Sequence, residues 1–309
     1  MGRELALQLT AEGCSVAMCD VSADNMAITE DLCRATMPAG TTVSSFVADV
    51  SSEQQLVAFR EHVVRTHCPD APALHLLFNN AGVGGGGSFV DDDRSNWEAT
   101  FNVCWGGVYL GCRTFMPLLL AADKGHVVNT SSVNGFWASL GPGVPHTAYS
   151  AAKFAVKGFT EALITDFRVN APHLSASVVM PGHIGTDIVL NSGAYHGRSP
   201  KELTEAQVAE ERVRLAKRGL DVSGASDDDI RLGLQMMGEG FRDTAPTSAA
   251  QAATIILDGV RRGDWRILVG ADAVSLDEVV RENPTIAYDP EFNDILQARR
   301  LFQFAADPE

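Results

Sequence analysis

Apolar residues along this chain fall into short unbroken runs, separated by longer stretches in which they recur every three or four positions. The runs occupy residues 15–19 (SVAMC), 41–50 (TTVSSFVADV), 74–80 (LHLLFNN), 125–132 (GHVVNTSS), 174–182 (LSASVVMPG) and 265–270 (WRILVG). Each has strand length and apolar character on both faces. Such runs predict parallel strands buried under helices on both sides of a sheet. The stretches between them predict helices over 3–9, 22–36, 52–67, 95–122, 148–170, 246–263 and 271–283. Ser22 stands where the second of these needs a cap, and Gly13 where the first must stop. The fold class expected is α/β, a doubly wound, mostly parallel sheet, as a single domain over 1–309. Residues 187–245 break the alternation with polar helical sequence and no buried run, an excursion of the kind that covers ligands. Residues 283–309 form a tail without a usable signal.

Composition narrows the partners. With 45% hydrophobic residues the chain can bury a full core, and 24 basic against 39 acidic residues give a net charge of −15. That balance disfavours a nucleic-acid surface, which needs clustered Lys and Arg. Six cysteines lie within the first 112 residues, with no CxxC pair and no histidine at ligand spacing, so no metal site is expected. They read as small core residues of a reducing compartment. No apolar run of the ~20 residues needed to span a bilayer is evident, and a cytoplasmic location is expected.

Chemistry concentrates in HTAYSAAKFAVKGFTEAL, residues 146–163. Tyr149 and Lys153 are four apart on a helix, so their side chains share a face. A tyrosine with a pKa near ~10 is a poor acid or base at neutral pH, and a fixed ammonium nearby favours its phenolate. The spacing alone also fits an ordinary helix surface.

Further motifs stand in order around it: NNAG at 79–82, FNVCWGGVYLG at 101–111, NTSSVNG at 129–135, YSAAK at 149–153 and MPGHIGT at 180–186. In these the chain resembles the short-chain dehydrogenase/reductase family from residue 2 to about residue 190. The resemblance implies a catalytic set of Asn102, Ser132 (with Ser131 as the lesser candidate), Tyr149 and Lys153. Tyr149 would exchange a proton with the substrate oxygen, Ser132 would hydrogen-bond that oxygen, Lys153 would depress the tyrosine and hold a ribose, and Asn102 would place a water beside Lys153. The activity implied is interconversion of a secondary alcohol and a ketone with a nicotinamide nucleotide.

The resemblance also implies the cofactor contacts: Gly2 at the pyrophosphate, Asp20 at the adenosine ribose, Asp49 and Val50 at adenine, Asn80, Ala81 and Gly82 on the adenosine side, Tyr149 and Lys153 at the nicotinamide ribose, and Pro181, Gly182, Ile184 and Thr186 at the nicotinamide. Asp20 would accept both ribose hydroxyls and repel a 2′-phosphate, and Val21 offers no compensating cation, which favours NAD over NADP. Gly106, Gly107 and Gly111 lie within one helix, where each costs about 1 kcal/mol relative to alanine. In the family this helix packs on its copy, so a homodimer or homotetramer is expected. GVGGGGS at 82–88 reads as a flexible loop, and His146 and His183 as loop histidines near the active site. Leu190, Tyr195, Leu234, Met236, Met237 and Phe241 are candidates for an apolar substrate pocket.

The family's first strand ends in TGxxxGxG, and Gly2 matches the last glycine of that motif. From Gly2 to Asp20 is 18 positions, as expected for one helix and one strand. The sequence therefore starts inside the motif, and the expectation is that Met1 is internal to a longer natural chain. Without that strand, its two neighbours stand too far apart for a direct ladder. The alternative is a cofactor-deficient family member acting as a non-catalytic subunit or interaction protein.

Overall fold

The computed structural model describes residues 1–141, 144–299 and 301. Helices α1 (Gly2–Ala11), α2 (Ala23–Thr36) and α3 (Glu53–His67) alternate with strands β1 (Val16–Asp20), β2 (Val43–Val47) and β3 (Leu76–Asn79). Then come α4 (Arg94–Phe101), a π-helical turn (Asn102–Gly106), α5 (Gly107–Ala121), β4 (Gly125–Thr130), α6 (Thr147–Asn170) and β5 (Leu174–Pro181). The expected cap and stop are in place: Gly13 ends α1 at φ 86° and the Ser22 hydroxyl accepts the Asn25 amide at the start of α2, while Ser52 does the same for the Gln55 amide at the start of α3.

Two β6 residues (Ile184–Gly185) lead into the excursion, which is three helices: α7 (Ile188–Tyr195), α8 (Glu205–Lys217) and α9 (Asp227–Asp243). The chain returns through β7 (Thr247–Ser248), α10 (Ala249–Arg262), β8 (Arg266–Val269), α11 (Ala271–Glu282) and α12 (Pro290–Ala298). β6 and β7 pair in parallel, Ile184 with Thr247 and Gly185 with Ser248, so the excursion is clasped at its base. The sequence offered no sign of this clasp, because two-residue strands carry no periodicity. Nor did it signal α12, which lies in the expected tail and buries Phe292 and Leu296 against Trp137. Residues 300 and 302–309 of that tail lie outside the described residues.

The main sheet runs β3-β4-β5-β8, all parallel, and β1 pairs in parallel with β2 as a separate ladder. The expected break is present: among the described residues no ladder joins β1 to β3. The two sheets still share their cores. Val16, Leu76 and Phe78 pack against one buried cluster, and Ala17 and Cys19 against another, of which Leu77 is a member. Apolar burial therefore joins them where hydrogen bonds do not.

Helices α4 and α5 with the π-turn form one helix of 28 residues, Arg94–Ala121, with a mean hydropathy of 1.3 over its most apolar window. By length and composition it could cross a membrane, which corrects the expectation that no such stretch exists. Its apolar character has a packing cause: Val108, Cys112, Phe115, Leu118 and Leu119 fill the core beside α3 and β4. The glycines there also serve the chain itself. A Cβ on Gly107 would stand 2.7 Å from Val50, and one on Gly111 would stand 2.2 Å from the Asn79 side chain. Two of the three glycines are thus used within the subunit itself.

Gly111→Ala should therefore destabilise the fold by about 1–3 kcal/mol, because it displaces Asn79 from its 2.8 Å bond to Asn129. Gly158→Ala, at a position in α6 with nothing within 4 Å, should stabilise by about 0.5–1 kcal/mol. Urea unfolding of the two variants checks this, and shifts of equal sign would contradict it.

Candidate active site

The strand end after β4 and the first turns of α6 meet at one point. α6 has no side-chain cap; instead its Thr147 and Ala148 amides donate to the Gly87 and Gly86 carbonyls at 2.9 and 3.1 Å. The glycine stretch expected to be a flexible loop is thereby tied to the helix that carries Tyr149. Gly85 and Gly86 have φ of 127° and 57°, conformations open to glycine at no steric cost.

Ser132 is extended, its hydroxyl oxygen accepts the Asn134 amide at 3.1 Å, and it stands close enough to Tyr149 to work against the rise of the phenol's pKa. Ser131 points elsewhere: its hydroxyl donates to the Lys153 backbone carbonyl at 2.7 Å, which leaves Ser132 as the serine beside the tyrosine. Lys153 is only 2% exposed, donates its Nζ to the Thr130 carbonyl at 2.9 Å, and stands 5.3 Å from the centre of the Tyr149 ring. Gly82 completes the group, since a Cβ there would lie 3.4 Å from the Lys153 Nζ.

Electrostatics here differ from the expectation. Burial raises the Tyr149 pKa above its ordinary value, with the Cys104 charge adding to the rise and the Ser132 hydrogen bond opposing it. Burial lowers the Lys153 pKa, and a negative Cys104 opposes that shift. Desolvation outweighs the mutual attraction of the charged forms, so Tyr149 is a neutral phenol at neutral pH.

Asn102 is not part of this group. It is exposed on the outer face of the π-turn, whereas Cys104, two residues on, is fully buried and couples electrostatically to both Tyr149 and Lys153. Two residues along a helix turn a side chain through about 200°, so only one of the pair can face inward. The Cys104 thiol donates to the Val83 carbonyl at 3.2 Å, beside Gly82. Sequence reasoning had the right helix and the wrong face.

A cavity of about 1000 Å³ opens over Ser132 and Tyr149. Asn80, Gly82, Pro181, Gly182, Ile184 and Thr186 line it, together with Tyr149 and Lys153. Five other expected cofactor residues, Gly2, Asp20, Asp49, Val50 and Ala81, stand outside its wall. Asp20 is exposed at the end of β1 and accepts the Ser22 amide at 2.9 Å. The Asp49 carboxylate takes the Ser51 amide and hydroxyl at 2.8 and 2.7 Å, and Val50 turns inward onto Gly107. Gly2 opens α1 next to Asn80.

A nicotinamide nucleotide suits the inner wall. The Asn80 Oδ1 is buried there without a hydrogen-bond partner among the described residues. Gly182 has no room for a side chain against Asp272, whose carboxylate accepts the His183 amide at 2.7 Å and fixes the turn.

On the excursion side, Leu190, Leu234 and Phe241 line the cavity as expected. Met236 and Met237 do not; they are 60% and 48% exposed. Tyr195 is likewise absent from the cavity wall. α7 lies on the glycine stretch, with the Gly84 amide donating to Ser192 at 2.7 Å and the His196 ring bonded to the Gly84 carbonyl at 2.9 Å. The His183 ring bonds to the Phe241 carbonyl at 2.6 Å, which ties α9 to the turn.

The model for the short chain dehydrogenases matches residues 1–195. The chain belongs to the short-chain dehydrogenase family. SadH of Mycobacterium tuberculosis, described as an oxidoreductase, is 30% identical over 281 residues, covering 91% of this chain and 86% of that one. The dehydrogenase/reductase SDR family member 6 of Aquarana catesbeiana is 27% identical over 60% of this chain and 67% of that one. Among solved structures, a family member from Burkholderia phymatum in complex with NAD has a TM-score of 0.70 at 27% identity, covering 94% and 92% of the two chains. Levodione reductase, at a TM-score of 0.63 and 22% identity over 89% and 93%, shares the fold. The chain is thus an oxidoreductase with an NAD(P)-binding Rossmann-like fold.

His146 was the least noticed member of the site. Its ring centre lies 4.7 Å from that of Tyr149, and burial lowers its pKa to about 4. The unfolded chain takes up this proton near pH ~6.5 and the folded protein only near pH 4, so stability is lost as pH falls between the two. His146→Gln should make that loss shallower. Denaturant midpoints measured across the interval check it, and an unchanged slope would speak against the assignment.

Proposed function

We propose that this enzyme interconverts a secondary alcohol and a ketone on a hydrophobic substrate, with NAD as the nucleotide. The observation that carries the reading is that Ser132, Tyr149 and the buried Lys153 line one cavity, with Ser132 near enough to the Tyr149 phenol to influence its ionisation. A nicotinamide nucleotide bound along Asn80, Gly82, Pro181, Gly182, Ile184 and Thr186 supplies or accepts the hydride.

The chain's own residues manage the proton and the oxygen. Tyr149, kept neutral by burial, gives its proton to the carbonyl oxygen in reduction and recovers it in oxidation. Ser132 hydrogen-bonds the same oxygen, since its hydroxyl is already turned to the tyrosine by the Asn134 amide. Lys153 sits where a protonated ammonium steadies the phenolate left behind, and its bond to the Thr130 carbonyl holds it there. Leu190, Leu234 and Phe241 exclude water from one side and favour an apolar substrate body.

The preference for NAD rests on Asp20. Its carboxylate is exposed at the end of β1, and the next residue is the exposed Val21 rather than a cation, so a 2′-phosphate would meet an uncompensated negative charge.

A panel of hydrophobic secondary alcohols with NAD, followed by the appearance of reduced nucleotide, tests the reaction. Tyr149→Phe should lower kcat by at least about 100-fold while leaving nucleotide binding in place, and Asn102→Ala should stay within about twofold of the parent. A Tyr149→Phe variant with full activity would remove the proton role. For the nucleotide, kcat/KM with NAD should exceed that with NADP by about tenfold or more, and Asp20→Ala should narrow the ratio; an unmoved ratio would show that Asp20 does not select.

A further inference from the structure

The polar side chains around the reacting pair are mostly engaged by the protein itself. Asn134 donates its Nδ2 to the Trp137 and Ser139 carbonyls at 3.1 and 2.8 Å. His183 is held by the Phe241 carbonyl, His196 by the Gly84 carbonyl, and Ser192 bridges the Ile188 carbonyl and the Gly84 amide. His146 differs. It lines the cavity three residues before Tyr149, with its ring 4.7 Å from the tyrosine ring, and that ring hydrogen-bonds no described residue. Its nitrogens are also absent from the buried unpartnered atoms, so they remain open to something outside the chain.

A neutral imidazole carries one donor and one acceptor, which is the complement of a hydroxyl group. Resting on the reading of Tyr149 above, the geometry points to His146 as the residue that binds a second oxygen of the substrate, on the carbon next to the reacting one. The substrate class is then a hydrophobic vicinal diol, or the α-hydroxy ketone formed from it. The reacting oxygen bonds Tyr149 and Ser132, and the neighbouring oxygen bonds the imidazole alongside. Leu140, Val144 and Pro145 stand near His146 on the same wall and shield that bond from bulk water. Burial keeps the ring neutral, so the donor and acceptor pair is present throughout the neutral pH range. A charged imidazole would have lost its acceptor.

The test compares two probes that share a phenyl body and a secondary alcohol, 1-phenyl-1,2-ethanediol and 1-phenylethanol. kcat/KM is measured for each with NAD and with NADP. The parent enzyme should favour the diol, and His146→Ala should reduce the diol-to-alcohol ratio about tenfold, with His146→Gln recovering a good part of it because an amide also offers donor and acceptor. A residue that only supports the fold would change both probes together and leave the ratio unmoved. An unmoved ratio in an active enzyme overturns the role of His146 and leaves the reaction standing. No turnover of either probe, with either nucleotide, instead removes the proposed reaction and the role of His146 along with it.

Discussion

A lysine ammonium enclosed by protein is the constraint around which this site is organised. Lys153 has almost no contact with solvent, and a buried ammonium is tolerated only where its donors find oxygen. The Thr130 carbonyl at the end of β4 provides it, and this fixes how the strand end meets α6. Other details follow from the same junction. Ser131 closes on the Lys153 backbone, Gly135 stays bare because a Cβ would strike both Ser131 and that backbone, and Gly82 makes room at the tip of the lysine. The tyrosine is placed as a by-product: once α6 is locked in rotation by Lys153, Tyr149 one turn earlier must face the same cavity.

The start of α6 shows how a helix end is made useful. Its leading amides need acceptors, and they find them in the carbonyls of the glycine stretch. One set of bonds therefore caps the helix and shapes the cavity roof. α7 then rests on that roof through Ser192 and His196. The Gly84 peptide is held by α7 and the Gly86 and Gly87 carbonyls by α6, so the loop is held from both sides and transmits the position of one helix to the other.

Much of this was legible in the sequence, and the reasons differ by feature. The strands of the main sheet showed as unbroken apolar runs because both of their faces are covered, and Tyr149 with Lys153 showed because a spacing of four fixes a shared helix face. Asn102 misled for a related reason. A motif names a helix without stating its phase, and the π-turn at Asn102–Gly106 shifts the phase where it matters, bringing Cys104 inward. The glycines at 106, 107 and 111 were referred to a neighbouring subunit, whereas Val50 and Asn79 of the same chain press on two of them. Burial was the other hidden quantity. Spacing alone suggested that Lys153 lowers the tyrosine, but desolvation of both groups depends on everything packed around them and drives the two pKa values the opposite way. The β6–β7 pair and α12 were silent because contacts far along the chain create them.

The clasp between β6 and β7 separates two tasks that the chain performs in succession. Ile184 and Thr247 stand side by side, so the main chain leaves the turn after β5 and returns to it at nearly the same place. Everything between could lengthen, shorten or change its apolar residues without altering the register of β5 against β8, because neither strand bears the load of the excursion. Ser132, Tyr149 and Lys153 belong to the part outside the excursion, and Leu190, Leu234 and Phe241 to the excursion itself. The two sides of the cavity are thus supplied by separate stretches of chain that meet at two pairs of residues.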